Sequence, residues 1–290
     1  MTHSLRPAAL AEMAALRHRH PQAFHRSRGR RLATVAAFAG LLGLVILALW
    51  RLEFSPGRII AGLGHLGWFV ALMLPPDPGS WPRAVLFLRA LAETVAIAFL
   101  GTFLAALGAF PIGFLAARNT TVNRLVQFAS RRILDGIRGV DALIWALLWI
   151  NVVGLGPFAG VLAIMTSDIG AFGKLFSEAI EATDKRAVEG VTSAGGGALH
   201  RIRFGVLPQV LPVMAGQVLY YFESNTRSST IIGIVGAGGI GLHLSEMIRT
   251  LEWQAVSFIL LLILIAVAVI DAVSSRLRAA IMGHPASARA

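Results

Sequence analysis

Two long apolar runs, residues 32–50 and 255–273, constrain this chain more than any other feature. Each has about 19 residues, close to the roughly 20 that a helix needs to cross a bilayer. In lipid, every backbone N–H and C=O must find a partner within the chain, so such runs predict helices. Of the 290 residues, 56% are hydrophobic and 14% are charged, whereas soluble domains carry about 25% charged residues. The predicted fold class is therefore all-α: a polytopic membrane protein.

The apolar pattern predicts about six transmembrane helices. They cover residues 32–50, 92–115, 140–153, 158–176, about 210–234, and 255–273. The third is short, and Gly154, Gly156 and Pro157 predict a break after it. Small residues at 101–113 suit close packing of the second helix against a neighbour. Residues 58–74 predict an interfacial helix outside the membrane.

Arginines fix the predicted orientation, because cytoplasmic flanks of membrane helices are rich in basic residues. The net charge is +11, and the arginines lie beside apolar segments, so a nucleic-acid partner is not required. The prediction is a basic cytoplasmic tail (1–31) that touches anionic lipid, a first helix with an external segment (32–83), a transmembrane domain (84–275) and a cytoplasmic C-terminal tail (276–290). The basic leader is too long for a signal peptide. Cysteine is absent, which excludes disulfides and cysteine-ligated metal sites.

A polar segment at residues 178–209 interrupts the apolar pattern and is predicted to be a cytoplasmic loop. Good helix formers precede Gly195, Gly196 and Gly197, so the prediction is a short helix, a glycine break and a second short helix. Pro208 and Pro212 are expected to limit that second helix.

The fifth predicted span carries charges at a depth where a charge costs on the order of 2.5–3.5 kcal/mol. Glu223 and Arg227 are spaced i, i+4 and can pair on one face, whereas Asn225 and Ser229 point elsewhere. Two interpretations remain open at this point. The pair either holds the bundle in register or lines a pathway in which Arg227 offers a fork of donors to an oxyanion.

Residues 236–241, a Gly-Ala-Gly-Gly-Ile-Gly stretch, fit the dinucleotide fingerprint of oxidoreductases. That fingerprint requires a βαβ unit with an acid about 20 residues later, and an apolar run follows instead, so an NAD-dependent oxidoreductase is rejected. The glycines predict a tight re-entrant turn covered by protein. The only lysines, Lys174 and Lys185, lie outside any P-loop motif. An ion-coupled secondary transporter would need carboxylates such as Asp168 and Glu223, although Asp168 is better interpreted as a packing residue.

Four motifs resemble permeases of ATP-binding cassette (ABC) importers. Glu189, Gly195, Leu207 and Pro208 match the family's cytoplasmic-loop pattern, in which Gly190 and Val191 replace two alanines and Gly205 replaces an isoleucine. The Glu-x-Asn-x-Arg-x-Ser-Thr sequence of residues 223–230 with the glycine turn, and the Pro-x-Gly-Phe-Leu-Ala-Ala-Arg-Asn sequence of residues 111–119, resemble the phosphonate-type subfamily. So does the Arg-Phe-Gly-Val-Leu-Pro-Gln sequence of residues 203–209. The resemblance covers about residues 84–275.

The resemblance implies a multi-pass permease subunit of a bacterial inner membrane, with both termini cytoplasmic. It implies a second permease copy, two cytoplasmic ATPase subunits that hold ATP and magnesium, and an external binding protein that delivers a phosphonate or phosphite. The chain itself is then not an enzyme and binds no cofactor. A permease for another small solute, such as an amino acid, is the alternative.

The same resemblance implies three sets of site residues. The ATPase-coupling residues are Glu189, Gly195, Gly196, Leu207 and Pro208. The pathway residues are Glu223, Asn225, Arg227, Ser228, Ser229 and Thr230. The outer gate turn contains Gly236, Gly238, Gly239 and Gly241.

Overall fold

The computed structural model describes residues 13, 15, 28–121 and 123–282. The chain divides into two units, Met1–Trp68 and Phe69–Ala290. The first unit contains α1 (Arg28–Arg51) and most of α2 (Pro56–Leu72). The side chains at residues 32–51 are exposed, which suits a helix surrounded by lipid. Most of the predicted basic tail, and the end of the C-terminal tail from residue 283, lie outside the described residues.

The second unit is a bundle of helices. In chain order they are α3 (Trp81–Ala116), α4 (Arg124–Arg138), α5 (Ala142–Val153), α6 (Pro157–Glu181), α7 (Lys185–Ser193), α8 (Ala198–Ile234), α9 (Ile240–Arg249) and α10 (Trp253–Met282). The described part of the chain contains no strand. This agrees with the predicted all-α class and leaves no βαβ unit there for a dinucleotide.

Five of these helices, α1, α3, α6, α8 and α10, are long and apolar enough to cross a membrane. The third predicted span is different, because α5 has only 12 residues, or about 18 Å. It reaches membrane length only together with α4, and the two helices are bent by 88°. Residues 124–138, expected to be loop, are thus an amphipathic helix, and the number of spans is five or six.

The core forms where α3 packs along α6. A Cβ added to Gly101 would lie 2.7 Å from the Ile164 Cβ, and one added to Gly113 would lie 2.8 Å from the Phe176 Cβ. Ala105 and Phe172 are fully buried between them. The predicted small residues of α3 therefore allow the two helices to approach closely.

The start of α8 corrects the sequence prediction. Neither Pro208 nor Pro212 ends the helix, which runs without interruption from Ala198 to Ile234. Residues Arg201–Val206 form a π-helical segment just before Pro208. The wider turn of a π-helix gives room for a proline ring that would otherwise meet the preceding turn. The predicted end near Ile234 is confirmed.

Candidate functional site

The first candidate region, the α7–α8 segment (residues 185–208), projects from the end of the bundle where α3 and α6 terminate. Asp184 caps α7, since its Oδ1 accepts the Arg186 N–H at 2.9 Å. Gly195 has φ +80° and stands in open space, so it supplies the left-handed residue that turns the chain between the helices. A Cβ on Gly196 would lie 2.7 Å from Val191 Cγ1. The predicted helix–glycine–helix arrangement is present.

Gly205 explains why this loop departs from the general pattern. A Cβ at this position would lie 3.1 Å from the Cα of Val188, so a side chain would separate α7 from α8. Gln209 holds the two helices together, because its Nε2 donates to the Gly205 carbonyl at 2.6 Å and its Oε1 accepts the Asp184 N–H at 2.9 Å. Gln209 belongs to the quoted motif but was given no role by the sequence.

The α7–α8 segment borders a cleft of about 360 Å³. Its lining includes Lys185, Glu189 and Arg201. Glu189 is exposed, Leu207 is half-buried against the core and Pro208 is exposed. The cleft is therefore a concave surface with both apolar and charged side chains that a partner protein can contact, and Glu189 is the predicted coupling residue that lines it.

The end of the motif at residues 111–119 bonds the end of α6, next to the α7–α8 segment. Glu181 Oε1 accepts the backbone N–H of Arg118 at 2.7 Å and the guanidinium of Arg131 at 2.6 Å. Asn119 Nδ2 donates to the Ile180 carbonyl at 2.7 Å. The Asn119 bond satisfies a carbonyl in the last turn of α6, and the Glu181 bonds tie the ends of α3 and α6 to the middle of α4.

A buried polar cluster crosses the middle of the bundle. Asn225 of α8 is 8% exposed, and its Nδ2 donates to Thr102 Oγ1 of α3 at 2.8 Å and to an Asp168 carboxylate oxygen of α6. Asp168 is therefore bonded within the bundle, as expected of a packing residue. Thr102 was missed, since nothing local in the sequence marks it as a partner of Asn225.

Glu223 and Arg227 form the predicted i, i+4 pair at 3.2 Å. Arg278 of α10, which the sequence did not connect to them, also bonds Glu223 at 3.3 Å. The side chain of Glu223 is 12% exposed, whereas that of Arg227 is 50% exposed. Arg227 thus retains free donors on an open face of α8 while Glu223 also ties α8 to α10.

The remaining predicted pathway residues divide by orientation. Ser229 and Thr230 are buried, and the Ser229 hydroxyl donates to the Asn225 carbonyl at 2.7 Å. Ser228 is half-buried. The structure therefore brings Asn225, Ser229 and Thr230 to the inner face of α8 and leaves Arg227 and part of Ser228 accessible.

The second candidate region is the glycine turn, residues 236–241, at the other end of α8. Every residue in it is buried. Gly236, Gly238 and Gly239 have φ values of +105°, +85° and +75°, which favour glycine. The Gly239 N–H donates to Glu93 Oε1 and the Ile240 N–H donates to Thr94 Oγ1, each at 2.8 Å.

The turn lies deep within the bundle. Arg83, near the start of α3, pairs with Glu252 before α10 at 2.6 Å and so marks that end of the molecule. The helical rise places Thr94 about 16 Å further along α3. From the turn, α9 leads on to Glu252 at that end, whereas α8 reaches the turn from the opposite end of the bundle. Glu93 and Thr94 were not assigned to this turn, although an acid within an apolar run was a usable signal.

No group of three or more metal-ligating side chains occurs in the part of the chain that the structure describes. The arrangement instead offers an exposed concave surface at one end of α8, a buried glycine turn at the other, and an exposed arginine between them.

Residues 109–282 match the family of binding-protein-dependent transport system inner membrane components. The putative phosphite transport system permease protein HtxC of Stutzerimonas stutzeri is 38% identical over 87% of this chain and 89% of its own. The phosphite transport system permease protein PtxC of the same organism is 36% identical over 86% and 89%. The phosphate-import permease protein PhnE of Mycolicibacterium smegmatis is 35% identical over 80% of this chain and 43% of its own.

Solved structures support the fold. An inward-facing structure of the MetNI methionine ABC transporter superposes with a TM-score of 0.61 at 20% identity, over 70% of this chain and 99% of that chain. An amino acid ABC transporter structure gives a TM-score of 0.58 at 17% identity, over 67% and 94%. The fold is that of ABC transporter permeases.

Proposed function

The chain belongs to the family of binding-protein-dependent transport system inner membrane components, and we propose that it is the permease of an ATP-driven importer of a phosphorus oxyanion. Two copies of the chain surround one pathway. Each copy docks one ATPase subunit at the cytoplasmic side, and an external binding protein delivers the substrate. ATP and magnesium bind to the ATPase subunits.

One observation carries this proposal: α8 joins the two candidate regions as a single helix of 37 residues. Its first turns belong to the exposed α7–α8 segment, and its last residue, Ile234, precedes the buried glycine turn. A rigid helix transmits a displacement from one end to the other. A force applied by the ATPase at Glu189, Gly195 and Gly196 therefore reaches the turn about 50 Å away.

The proposed cycle follows from that connection. Closure of two ATPase subunits around ATP draws the two α7–α8 segments together, and each α8 tilts. The tilt disturbs the hydrogen bonds of Glu93 and Thr94 to the glycine turn, which acts as the outer gate. The binding protein then releases its oxyanion beside Arg227 and Ser228, and ATP hydrolysis restores the inward-open arrangement.

A phosphorus oxyanion suits the accessible chemistry of α8. Arginine presents several N–H donors in a fixed plane, which match the oxygens of a phosphite or phosphonate. Arg227 has this group half-exposed, and Glu223 uses only part of it. Relatives named for phosphite, phosphate and phosphonate transport, at 35–45% identity, support the same class of substrate. Those names also favour this class over an amino acid or an ion-coupled carrier.

The test is uptake into proteoliposomes that contain the chain and its ATPase, with the binding protein added outside. We expect uptake of labelled phosphite or methylphosphonate that requires both partners and ATP. Excess unlabelled phosphite should compete, and methionine should not. Uptake of methionine, or uptake driven by an ion gradient without the ATPase, would contradict the proposal.

A further inference from the structure

A basic pocket lies beside α4, away from the residues discussed above as a pathway or gate. Its volume is about 550 Å³, and its lining includes Arg118, Arg124, Arg131 and Arg132. Phe128 also lines it, and the Arg132 guanidinium lies 5.5 Å from the centre of that ring. Four arginines around one cavity create a strongly positive site for an anion.

The charges of this pocket are only partly neutralised within the protein. Arg131 is paired with Glu181, and Arg132 lies 3.3 Å from Asp135. Among the described residues, the guanidinium groups of Arg118 and Arg124 have no carboxylate partner. Arg118 uses only its backbone N–H to bond Glu181. Two exposed guanidinium groups therefore remain available to a ligand.

The orientation of α4 identifies where that ligand comes from. This helix is bent by 88° from the apolar α5, so it lies along the membrane surface if α5 enters the bilayer. Leu134 fixes its inner face against α6, where a Cβ on Gly173 would lie 2.8 Å from the Leu134 Cδ1. The helix is therefore docked rather than free to leave the bundle.

An apolar stripe runs along the outer face of α4. Leu125 and Ile133 are 72% and 63% exposed, and Ala129 lies between them at the i, i+4 spacing. The neighbouring row, Arg124, Phe128 and Arg132, is basic and aromatic. A helix with an apolar stripe beside an arginine row is the arrangement that sits between acyl chains and anionic headgroups.

We propose that Arg118 and Arg124, with Arg132, bind the phosphate of an anionic phospholipid whose acyl chains cover Leu125, Ala129 and Ile133. The phosphate diester accepts hydrogen bonds from the guanidinium groups, and the pocket accommodates the headgroup. The lipid belongs to the same leaflet as the α7–α8 segment, because the ends of α3 and α6 border both regions. This site is independent of the transported substrate.

The experiment compares lipid retention by the full-length chain purified with a defined mixture of phosphatidylglycerol and phosphatidylcholine. Native mass spectrometry counts the bound lipids as the phosphatidylglycerol fraction is titrated. The test variant is R118Q/R124Q. The matched control, R249Q/R276Q, removes the same charge from two exposed arginines outside the pocket. A third variant, R118K/R124K, keeps both charges.

We expect R118Q/R124Q to weaken phosphatidylglycerol binding by roughly tenfold or more, since each basic residue near a membrane surface contributes severalfold. R249Q/R276Q should change phosphatidylglycerol binding less than twofold, and R118K/R124K should retain most of that binding. Binding of phosphatidylcholine should be the same in all variants. Equal losses of phosphatidylglycerol binding in R118Q/R124Q and R249Q/R276Q would contradict the proposed site.

Two other outcomes would also overturn it. Displacement of the lipid by millimolar inorganic phosphate would indicate a site for a soluble oxyanion. Unchanged lipid retention, with loss of ATPase binding in R118Q/R124Q alone, would indicate a protein-docking surface. Size-exclusion profiles of the variants distinguish all of these results from misfolding.

Discussion

The two glycine-rich regions at the ends of α8 use glycine for opposite purposes. In the α7–α8 segment, Gly196 and Gly205 pack against α7, but Gly190 and Gly195 on its outer side have no atom near the position of an added Cβ. In the glycine turn, a Cβ on Gly238 would lie 2.8 Å from Pro157, and one on Gly241 would overlap the Thr230 carbonyl oxygen. One region is an open surface that a partner can contact, and the other is packed so tightly that only backbone fits.

The two regions also differ in the partners of their hydrogen bonds. The turn donates its N–H groups to Glu93 and Thr94 of another helix, so it is fixed by tertiary contacts. In α7, Thr192 and Ser193 donate to carbonyls of their own helix. We infer that the α7–α8 segment is shaped locally and completed by a partner, whereas the turn is completed within the chain.

The largest expected effect comes from filling the packed turn. Gly241→Ala places a methyl group against Thr230 and 2.9 Å from the Gly233 Cα. We expect a loss of about 1–3 kcal/mol or more in stability, because a tightly packed site cannot expand without strain. The control, Gly190→Ala, adds a methyl group in open space on a helix and should stabilise by up to about 1 kcal/mol. Thermal unfolding in detergent measures both, and equal effects would contradict the comparison.

A smaller effect should follow from removing one anchor of the turn. Thr94→Val deletes the acceptor of the buried Ile240 N–H and should cost about 1–3 kcal/mol. Thr192→Val removes an exposed hydroxyl from α7, and its effect should stay within about 0.5 kcal/mol. The same unfolding assay applies. If Thr192→Val proves the more destabilising change, the α7–α8 segment is not the open surface described above.

The smallest effect on stability is expected from a change at Arg227, which lies between the two ends of α8. Its effect on transport should nevertheless be clear. Arg227→Lys keeps a positive charge, and Glu223 keeps its contact with Arg278, so stability should change by less than about 0.5 kcal/mol. Phosphite uptake should fall several-fold, because lysine cannot form bidentate bonds to an oxyanion. The control is Arg276→Lys, at an exposed arginine of α10, which should leave uptake unchanged. Full uptake by Arg227→Lys would assign Arg227 a structural role alone.

Local chemistry in the sequence was enough to predict the ends and turns of several helices. Glycine and proline at residues 154–157 end α5 and begin α6 as expected. The i, i+4 spacing of Glu223 and Arg227 correctly predicted their pair. Both features depend on residues a few positions apart, which a sequence displays directly.

Features that depend on distant residues could not be predicted. Arg278 is distant in the sequence from its partner Glu223, and Glu93 is distant from its partner Gly239. Only the folded bundle brings each pair together. The helix α4 was missed because its arginines resemble a loop, although its apolar residues follow a helical period. The start of α8 was misplaced because a π-helical segment, invisible in the composition, tolerates Pro208.

The account depends most on the α7–α8 segment and the end of α9 facing different partners. The chain contains no cysteine, so Glu189→Cys and Arg249→Cys each introduce a single thiol, one in the α7–α8 segment and one at the end of α9. Each variant is assembled in proteoliposomes with the ATPase and the binding protein and treated with a thiol-to-amine crosslinker. We predict that Glu189→Cys crosslinks to the ATPase alone and Arg249→Cys to the binding protein alone. A crosslink from Arg249→Cys to the ATPase, or none from Glu189→Cys, would contradict the account.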